Sequence, residues 1–350
     1  MNAVASVAAK KNSTTVRSNI VTNLVRRGGH LLSRLSPALA TRIAAHVFLR
    51  PGRHPHPAAE QPWLSSARRQ QLYTQGLPVP TWDGRRLAVY RWGRAEAGRI
   101  VLMHGWGGRA TQFASFIPVL VEAGYEVIAV DAPGHGLSEG RQASLLHFAN
   151  ALERVVAEAG PVDAVIAHSF GGAATALAAS RGLRFGKAVL IAPPSDLNDY
   201  LEAVGRGLGL TLPVRSRLRA HFEALLATPF SALHARALAR GLRQPALVIH
   251  DEDDREVSLA AGQVMAEAWG ARLLTTRGLG HRRILKEAAV VSAALAFIQG
   301  RPLSQAVSVE RGEGGVGEHR IDRDQRGTGP AQQAQGIVPP APAGLAQVQG

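Results

Sequence analysis

The chain has 350 residues, of which 46% are hydrophobic, 19% charged and 5% aromatic, with a formal net charge of +14 and no cysteine. That length allows one large domain with appendages or two small ones, and the apolar content excludes a chain disordered throughout. The lack of cysteine excludes disulfides, thiolate metal sites and cysteine nucleophiles, while the sign of the charge invites a nucleic-acid or membrane-surface reading.

The charge is unevenly spread. Residues 1–59 carry nine Lys and Arg and no Asp or Glu, residues 60–300 carry 26 basic against 21 acidic residues, and residues 301–350 balance at zero. In the first of these segments Ile20, Leu24, Leu31, Leu35, Leu39, Ile43 and Val47 recur at spacings of four and seven between arginines. This pattern predicts one or two amphipathic helices, one of them over about 35–50 and packed on the body. Residues 1–19 are expected to be disordered. Acid-poor and arginine-rich, the arm superficially resembles a mitochondrial transit peptide or an interfacial anchor. It holds no run near the roughly 20 apolar residues of a membrane span, and its start does not read as a secretory signal. A Pro-rich linker over 51–62 leads into the body.

Within the body, Leu77–Trp82 and Leu87–Trp92, joined across Asp83-Gly84, predict a β-hairpin. Short apolar runs follow at Ile100–Met103, Val127–Val130, Ala164–Ala167, Ala188–Ile191, Ala246–His250 and Arg272–Thr275, and suit strands buried on both faces. Helical pattern lies between them near 111–123, 142–159, 170–181, 256–269 and 284–299. The alternation predicts an α/β fold, a mostly parallel sheet covered on both faces. Residues 195–243 hold helical pattern only and read as an inserted helical cap. The last fifty residues, with nine Gly, seven Gln, five Pro and no aromatic residue, predict a disordered tail. The expected division is therefore an arm and linker over 1–62, a domain over 63–300 with its cap at about 195–243, and a tail over 301–350.

In such a sheet ligands bind beyond the carboxyl ends of the strands. Four loops there carry unusual sequence. Ala167-His168-Ser169-Phe170-Gly171-Gly172 sits between a strand and an alanine-rich helix and nearly matches G-x-S-x-G, the turn that lifts a serine hydroxyl above a sheet. Ala167 stands where glycine is usual, and an ordinary helix cap is the bland alternative, but the strand–turn–helix context favours a nucleophile. His104-Gly105-Trp106-Gly107-Gly108 can present backbone N–H donors to an oxyanion; it lacks the spacing of a phosphate-binding loop. His250-Asp251-Glu252-Asp253-Asp254 offers three aspartates to orient a base, although an acidic loop is most often a solvated face. Gly278-Leu279-Gly280-His281 puts a histidine on a glycine-flanked loop, a better place for a base than an apolar helix face.

Together these loops resemble the α/β-hydrolase family, over about Leu77 to Gly300, in the blocks HGWGG, VDAPGHGLSEG, AHSFGG, HDEDDREV and GLGHRRIL. The resemblance implies that Ser169, Asp254 and His281 form a catalytic triad in the family's chain order. Asp254 is preferred because it precedes Val257 by three, as in the family's G-x-x-D-x-x-V block. The resemblance also implies an oxyanion hole from the amides of Trp106 and Phe170, and a scaffold role for Asp131 and His135. His104, Gly105 and His168 are expected to contact substrate; Arg206, Arg215, Arg217 and Arg219 of the cap could form a rim for anionic groups, although solvated arginines on a helix are the more ordinary reading.

The implied activity is hydrolysis of an ester-type acyl bond through an acyl-enzyme, without metal or organic cofactor. The alternatives are thioesterase or lipase chemistry and an inactive binding module of the same fold. A small acyl compound is the expected partner, with no nucleic acid, a weak membrane-surface contact through the basic arm, and a cytoplasmic location.

Overall fold

A computed structural model describes residues 23–53 and 55–303. The expected disorder of 1–19 and nearly all of the expected tail lie outside these residues. The fold is built on one eight-stranded sheet in the order β1-β2-β4-β3-β5-β6-β7-β8. Its strands are β1 (Arg68–Tyr73), β2 (Arg86–Trp92), β3 (Gly98–Met103), β4 (Tyr125–Val130), β5 (Ala164–His168), β6 (Lys187–Ile191), β7 (Ala246–Asp251) and β8 (Arg272–Thr276). From β4 through β8 all pairings are parallel; β1 and β2 join antiparallel at one edge. β4, β5 and β7 are buried along their whole length, as continuous Val, Ile, Leu and Ala runs require of a sheet covered on both faces.

The hairpin expected over Leu77–Trp82 and Leu87–Trp92 is not formed. The first of these runs contains Pro78 and Pro80, which cannot donate to a ladder, and ends in a 3₁₀ turn at Pro80–Trp82. The partner of β2 is β1, with Leu72 opposite Leu87. β1 reads Arg-Arg-Gln-Gln-Leu-Tyr, and only Leu72 is buried, so an edge strand facing solvent left no alternation to detect.

Helices α1 (23–35) and α2 (Pro37–Phe48) come from the arm, and α3 (Gln61–Ser66) from the linker. The sheet is covered by α4 (Phe116–Glu122), α5 (Leu145–Ala159), α6 (Phe170–Ser180), α10 (Leu259–Trp269), α11 (Gly280–Arg283) and α12 (Ala288–Ile298). Seven of the eleven residues of α6 are Ala or Gly, and it is buried along almost its whole length, small side chains letting it lie close against α5 and β5. Between β6 and β7 run α7 (Leu197–Gly207), α8 (Leu212–Leu225) and α9 (Ala235–Leu238), with no strand.

The arm is built into the domain. Ala40, Ala44 and Ala45 of α2 are buried, and α2 packs on α8. Gly29 of α1 and Gly209 cross so closely that a Cβ on either would strike the backbone of Leu208 or Arg26. Arg53 donates to the carbonyls of Gly134, Gly136, Ser138 and Gly140. Glu60 takes two hydrogen bonds from Arg109, at 2.5 and 2.6 Å, and one from Thr111 at 2.7 Å. Among the described residues no helix is long and apolar enough to cross a membrane.

Candidate active site

Ser169 stands between the last residue of β5 and the first of α6, with φ 51° and ψ −123°. A non-glycine residue held there costs of order 1–3 kcal/mol and persists only where the surroundings over-determine it. They do so here: the Ser169 N–H donates to Ile191 O at 2.8 Å on β6, and the Gly172 N–H returns to Ser169 O at 2.8 Å. The turn also needs missing side chains. A Cβ on Gly171 would stand 2.5 Å from the carbonyl oxygen of His104 and 2.6 Å from that of Met103, and one on Gly105 would stand 2.8 Å from the Ser169 Cβ. At 167 the methyl of alanine is accommodated, fully buried in β5. The serine hydroxyl therefore projects, half-exposed, above the carboxyl end of the sheet.

His281, the second residue of α11, brings Nε2 to 2.9 Å from Ser169 Oγ and donates from Nδ1 to Asp254 Oδ2 at 2.7 Å. The other carboxylate oxygen of Asp254 accepts the N–H groups of Glu256 at 2.8 Å and Val257 at 2.9 Å. Burial alone would raise the Asp254 pKa, but the His281 hydrogen bond and these two amides outweigh it, so the carboxyl is held below its ordinary value.

The three aspartates divide their tasks. Asp251 is fully buried and accepts from the Thr276 hydroxyl and from the amides of Asp253, Leu279 and Gly280. Asp253 accepts from the Gly278 amide. These two clamp the loop that carries His281, and Asp254 alone meets its ring. His250 lies behind Asp254, its Nε2 donating to Val257 O at 3.0 Å.

The loop 104–108 passes over the start of α6. Among the described residues nothing accepts from the amides of Trp106 or Phe170, and Phe170 is in the first helical turn, where N–H groups lack intrahelical acceptors. The loop is held from below. His135 accepts the Gly107 N–H at 3.0 Å on Nε2 and donates from Nδ1 to Pro133 O. Asp131 accepts the Ala110 N–H at 2.7 Å, the Tyr90 hydroxyl at 2.8 Å and the Leu137 N–H at 2.9 Å. Both are buried and support the loop, in keeping with a scaffold role.

Two of the residues expected to touch substrate do not offer their rings to it. His104 is fully buried; Nδ1 donates to Gly105 O and Nε2 accepts the Ala132 N–H. His168 is also buried, with Nε2 donating to the His281 carbonyl at 2.8 Å and Nδ1 accepting from Gln112 at 3.2 Å. Burial lowers their pKa values to about 4 and about 3, so both are neutral. Gly105 acts through its lack of a side chain beside Ser169. Of the arginines expected at a rim, Arg206 and Arg215 both pair with Glu202, and Arg217 and Arg219 are exposed on α8.

A narrow apolar cavity of about 30 Å³ lies beside Trp106 and Phe170. The cap contributes Leu197, Tyr200, Phe222, Leu226 and Phe230, the segment before α5 contributes Ala143 to Leu145, and the arm contributes Phe48 and Leu49. Sequence reasoning missed the arm's share, because the spacing in α2 shows an apolar face without showing what it covers. Among the described residues no group of three or more His, Asp or Glu side chains is placed to hold a metal ion.

Residues 100–294 match the model of the Alpha/beta hydrolase family. The chain is 29% identical over 274 aligned positions to a non-heme haloperoxidase of Rhodococcus erythropolis, covering 63% of this chain and 98% of that protein. Its fold is similar to a Pyrococcus furiosus esterase at 18% identity and TM-score 0.53, covering 72% of this chain and 97% of the other. It is likewise similar to a Bacillus anthracis bromoperoxidase at 19% identity and TM-score 0.50, covering 66% and 100%.

Proposed function

We propose that this chain, which belongs to the alpha/beta hydrolase family, is a serine hydrolase that cleaves carboxylic esters with an apolar acyl group. The observation that carries this reading is the continuous hydrogen-bonded line from Ser169 Oγ through His281 to Asp254, at 2.9 and 2.7 Å, with the serine on a strained turn.

In this reading His281 Nε2 takes the Ser169 proton as Oγ attacks the carbonyl carbon, and Asp254 keeps Nδ1 protonated and balances the imidazolium. The amides of Trp106 and Phe170 receive the oxyanion; loss of one such donor typically costs roughly 100–1000-fold in rate. Collapse expels the alcohol, which leaves with the proton from His281. Water, deprotonated by His281, then attacks the acyl-enzyme, and the acid leaves as Ser169 regains its proton. The apolar cavity beside the two amides supports an aliphatic or aromatic acyl group over a charged one.

A serine-directed fluorophosphonate probe tests the assignment. Wild type should label and Ser169→Ala should not, and Asp254→Asn should cut turnover of a nitrophenyl ester by about 10⁴. Labelling that persists in Ser169→Ala would remove Ser169 as nucleophile, and a wild type that neither labels nor turns over esters would favour a binding module.

The haloperoxidase relative supports a second reading. An acyl-enzyme is open to any nucleophile that His281 can deprotonate, hydrogen peroxide included, and such attack would release a peracid able to oxidise halide. Peroxide- and carboxylate-dependent bromination, lost in Ser169→Ala, would favour it.

A further inference from the structure

We propose that α1 and α2 form a docking surface for an anionic lipid bilayer. Eleven large apolar side chains are prominently exposed among the described residues, and seven of them are Leu24, Val25, Leu31, Leu35, Leu39, Ile43 and Val47. They are not scattered. Leu39, Ile43 and Val47 follow at i, i+4 and i+8, one ridge along α2, while Ala40, Ala44 and Ala45 turn inward. Leu24, Leu31 and Leu35 make the corresponding ridge on α1. A soluble domain rarely leaves so many large apolar side chains together in water without a use for them.

The occupant is indicated by charge. Arg27 and Arg34 flank the ridge of α1 and Arg42 that of α2; all three are exposed, and none makes an ion pair among the described residues. No Asp or Glu occurs anywhere in residues 1–59. A second copy meeting this face across a two-fold axis would set arginine against arginine. A nucleic acid would use the cations but has no need of seven aliphatic side chains, and the ridges present no aromatic ring for stacking. Apolar ridges with a cationic border match the boundary between phosphate headgroups and acyl chains.

The helices are also held firmly enough to present such a face. α2 packs on α8, α1 crosses the Leu208–Gly209 turn at glycine, and Phe48 of α2 lines the apolar cavity. The element that would rest on the bilayer thus also walls the cavity beside Trp106. Binding of this kind requires nothing of Ser169 and stands apart from the hydrolase reading.

The test is co-sedimentation of the full-length protein with equimolar phosphatidylcholine–phosphatidylglycerol vesicles and with phosphatidylcholine alone. Wild type should favour the anionic vesicles by about 10-fold or more, with the preference fading at high salt. Leu39→Asp/Ile43→Asp should lower binding by about 10-fold or more, and Arg34→Gln/Arg42→Gln should reduce the preference for anionic vesicles several-fold. Leu39 and Ile43 are 44% and 47% exposed and line no cavity described above, so melting temperature and turnover of a soluble ester should stay at wild-type values. Equal binding of wild type and variants, or no binding by wild type, would overturn the proposal. So would a dimer in sedimentation velocity that Leu39→Asp/Ile43→Asp dissolves, or DNA retention without vesicle binding.

Discussion

The Nε2 of His168 donates to the backbone carbonyl of His281 at 2.8 Å, and the two rings stand 4.7 Å apart. The residue directly before the candidate nucleophile thus holds the loop of the candidate base. On its other side Nδ1 accepts from Gln112, whose Oε1 accepts the Arg109 N–H at 3.3 Å. One buried, neutral imidazole therefore ties together the loop after β3, the turn after β5 and the loop after β8. Asp251 and Asp253 grip that last loop from the opposite side.

Replacing His168 by Phe keeps the ring and removes both hydrogen bonds. Ester turnover is expected to fall by about 10- to 100-fold, since a displacement near 1 Å in a reacting group has that effect, with KM changing little. Stability should fall by about 1–3 kcal/mol, because the His281 carbonyl and the Gln112 amide lose their partner. Steady-state kinetics and urea denaturation measure the two. Full turnover in the variant would mean that the aspartates hold the loop unaided.

Ser169 sits at φ 51°, a strained conformation for a residue with a Cβ and an easy one for glycine. Ser169→Gly should therefore melt above Ser169→Ala, the two differing by about 1 kcal/mol once the greater freedom of glycine in the unfolded chain is subtracted. Both should be inactive. Thermal melts at one pH suffice, and an alanine variant as stable as the glycine variant would remove the claim of stored strain.

Phe48 places the N-terminal helix in the wall of the apolar cavity, between Tyr200 and Phe222 at ring-centroid distances of 5.3 and 5.1 Å. Phe48→Ala should enlarge the cavity and move the optimum of a nitrophenyl ester series toward longer acyl chains. The expected loss of stability is about 1–3 kcal/mol, less than for a fully buried ring. An unchanged chain-length profile would mean that the acyl group lies elsewhere.

Acid should destabilise the fold well above the carboxylate range. Burial pulls His104 down to about 4 and His135, His147 and His168 to about 3. A histidine of the unfolded chain titrates near 6.5. Above that pH both states are neutral and these groups contribute no pH dependence. Below it the unfolded chain takes up protons that the native state refuses, so stability falls, by up to about 1.4 kcal/mol per pH unit for each histidine. Asp254 and Asp251, held low by their hydrogen bonds, add to the loss only as pH drops through the carboxylate range and below. Melting temperatures should fall steeply from about pH 6 to about pH 4; a flat profile there would contradict the neutral, buried state of these rings.

The parallel strands were legible in the chain because burial on both faces demands unbroken Val, Ile, Leu and Ala runs, and such runs stand out locally. The order of the motifs around Ser169, Asp254 and His281 was legible for a similar reason: each chemical loop must follow the carboxyl end of a strand. β1 was not legible. An edge strand facing water needs only one buried side chain, Leu72, and so carries no periodic signal.

What the chain order left open was settled by distance between remote segments. Residue type alone does not separate three aspartates in four residues, and only the spacing to Val257 favoured Asp254; folding brings Asp254 to the ring of His281 and turns Asp251 onto the loop backbone. Composition marks the N-terminal arm as basic and amphipathic. Its two faces acquire different meanings only when one is seen against α8 and the apolar cavity and the other is seen uncovered. Periodicity reports that a helix has an apolar side, whereas contact between parts distant in sequence decides what that side touches.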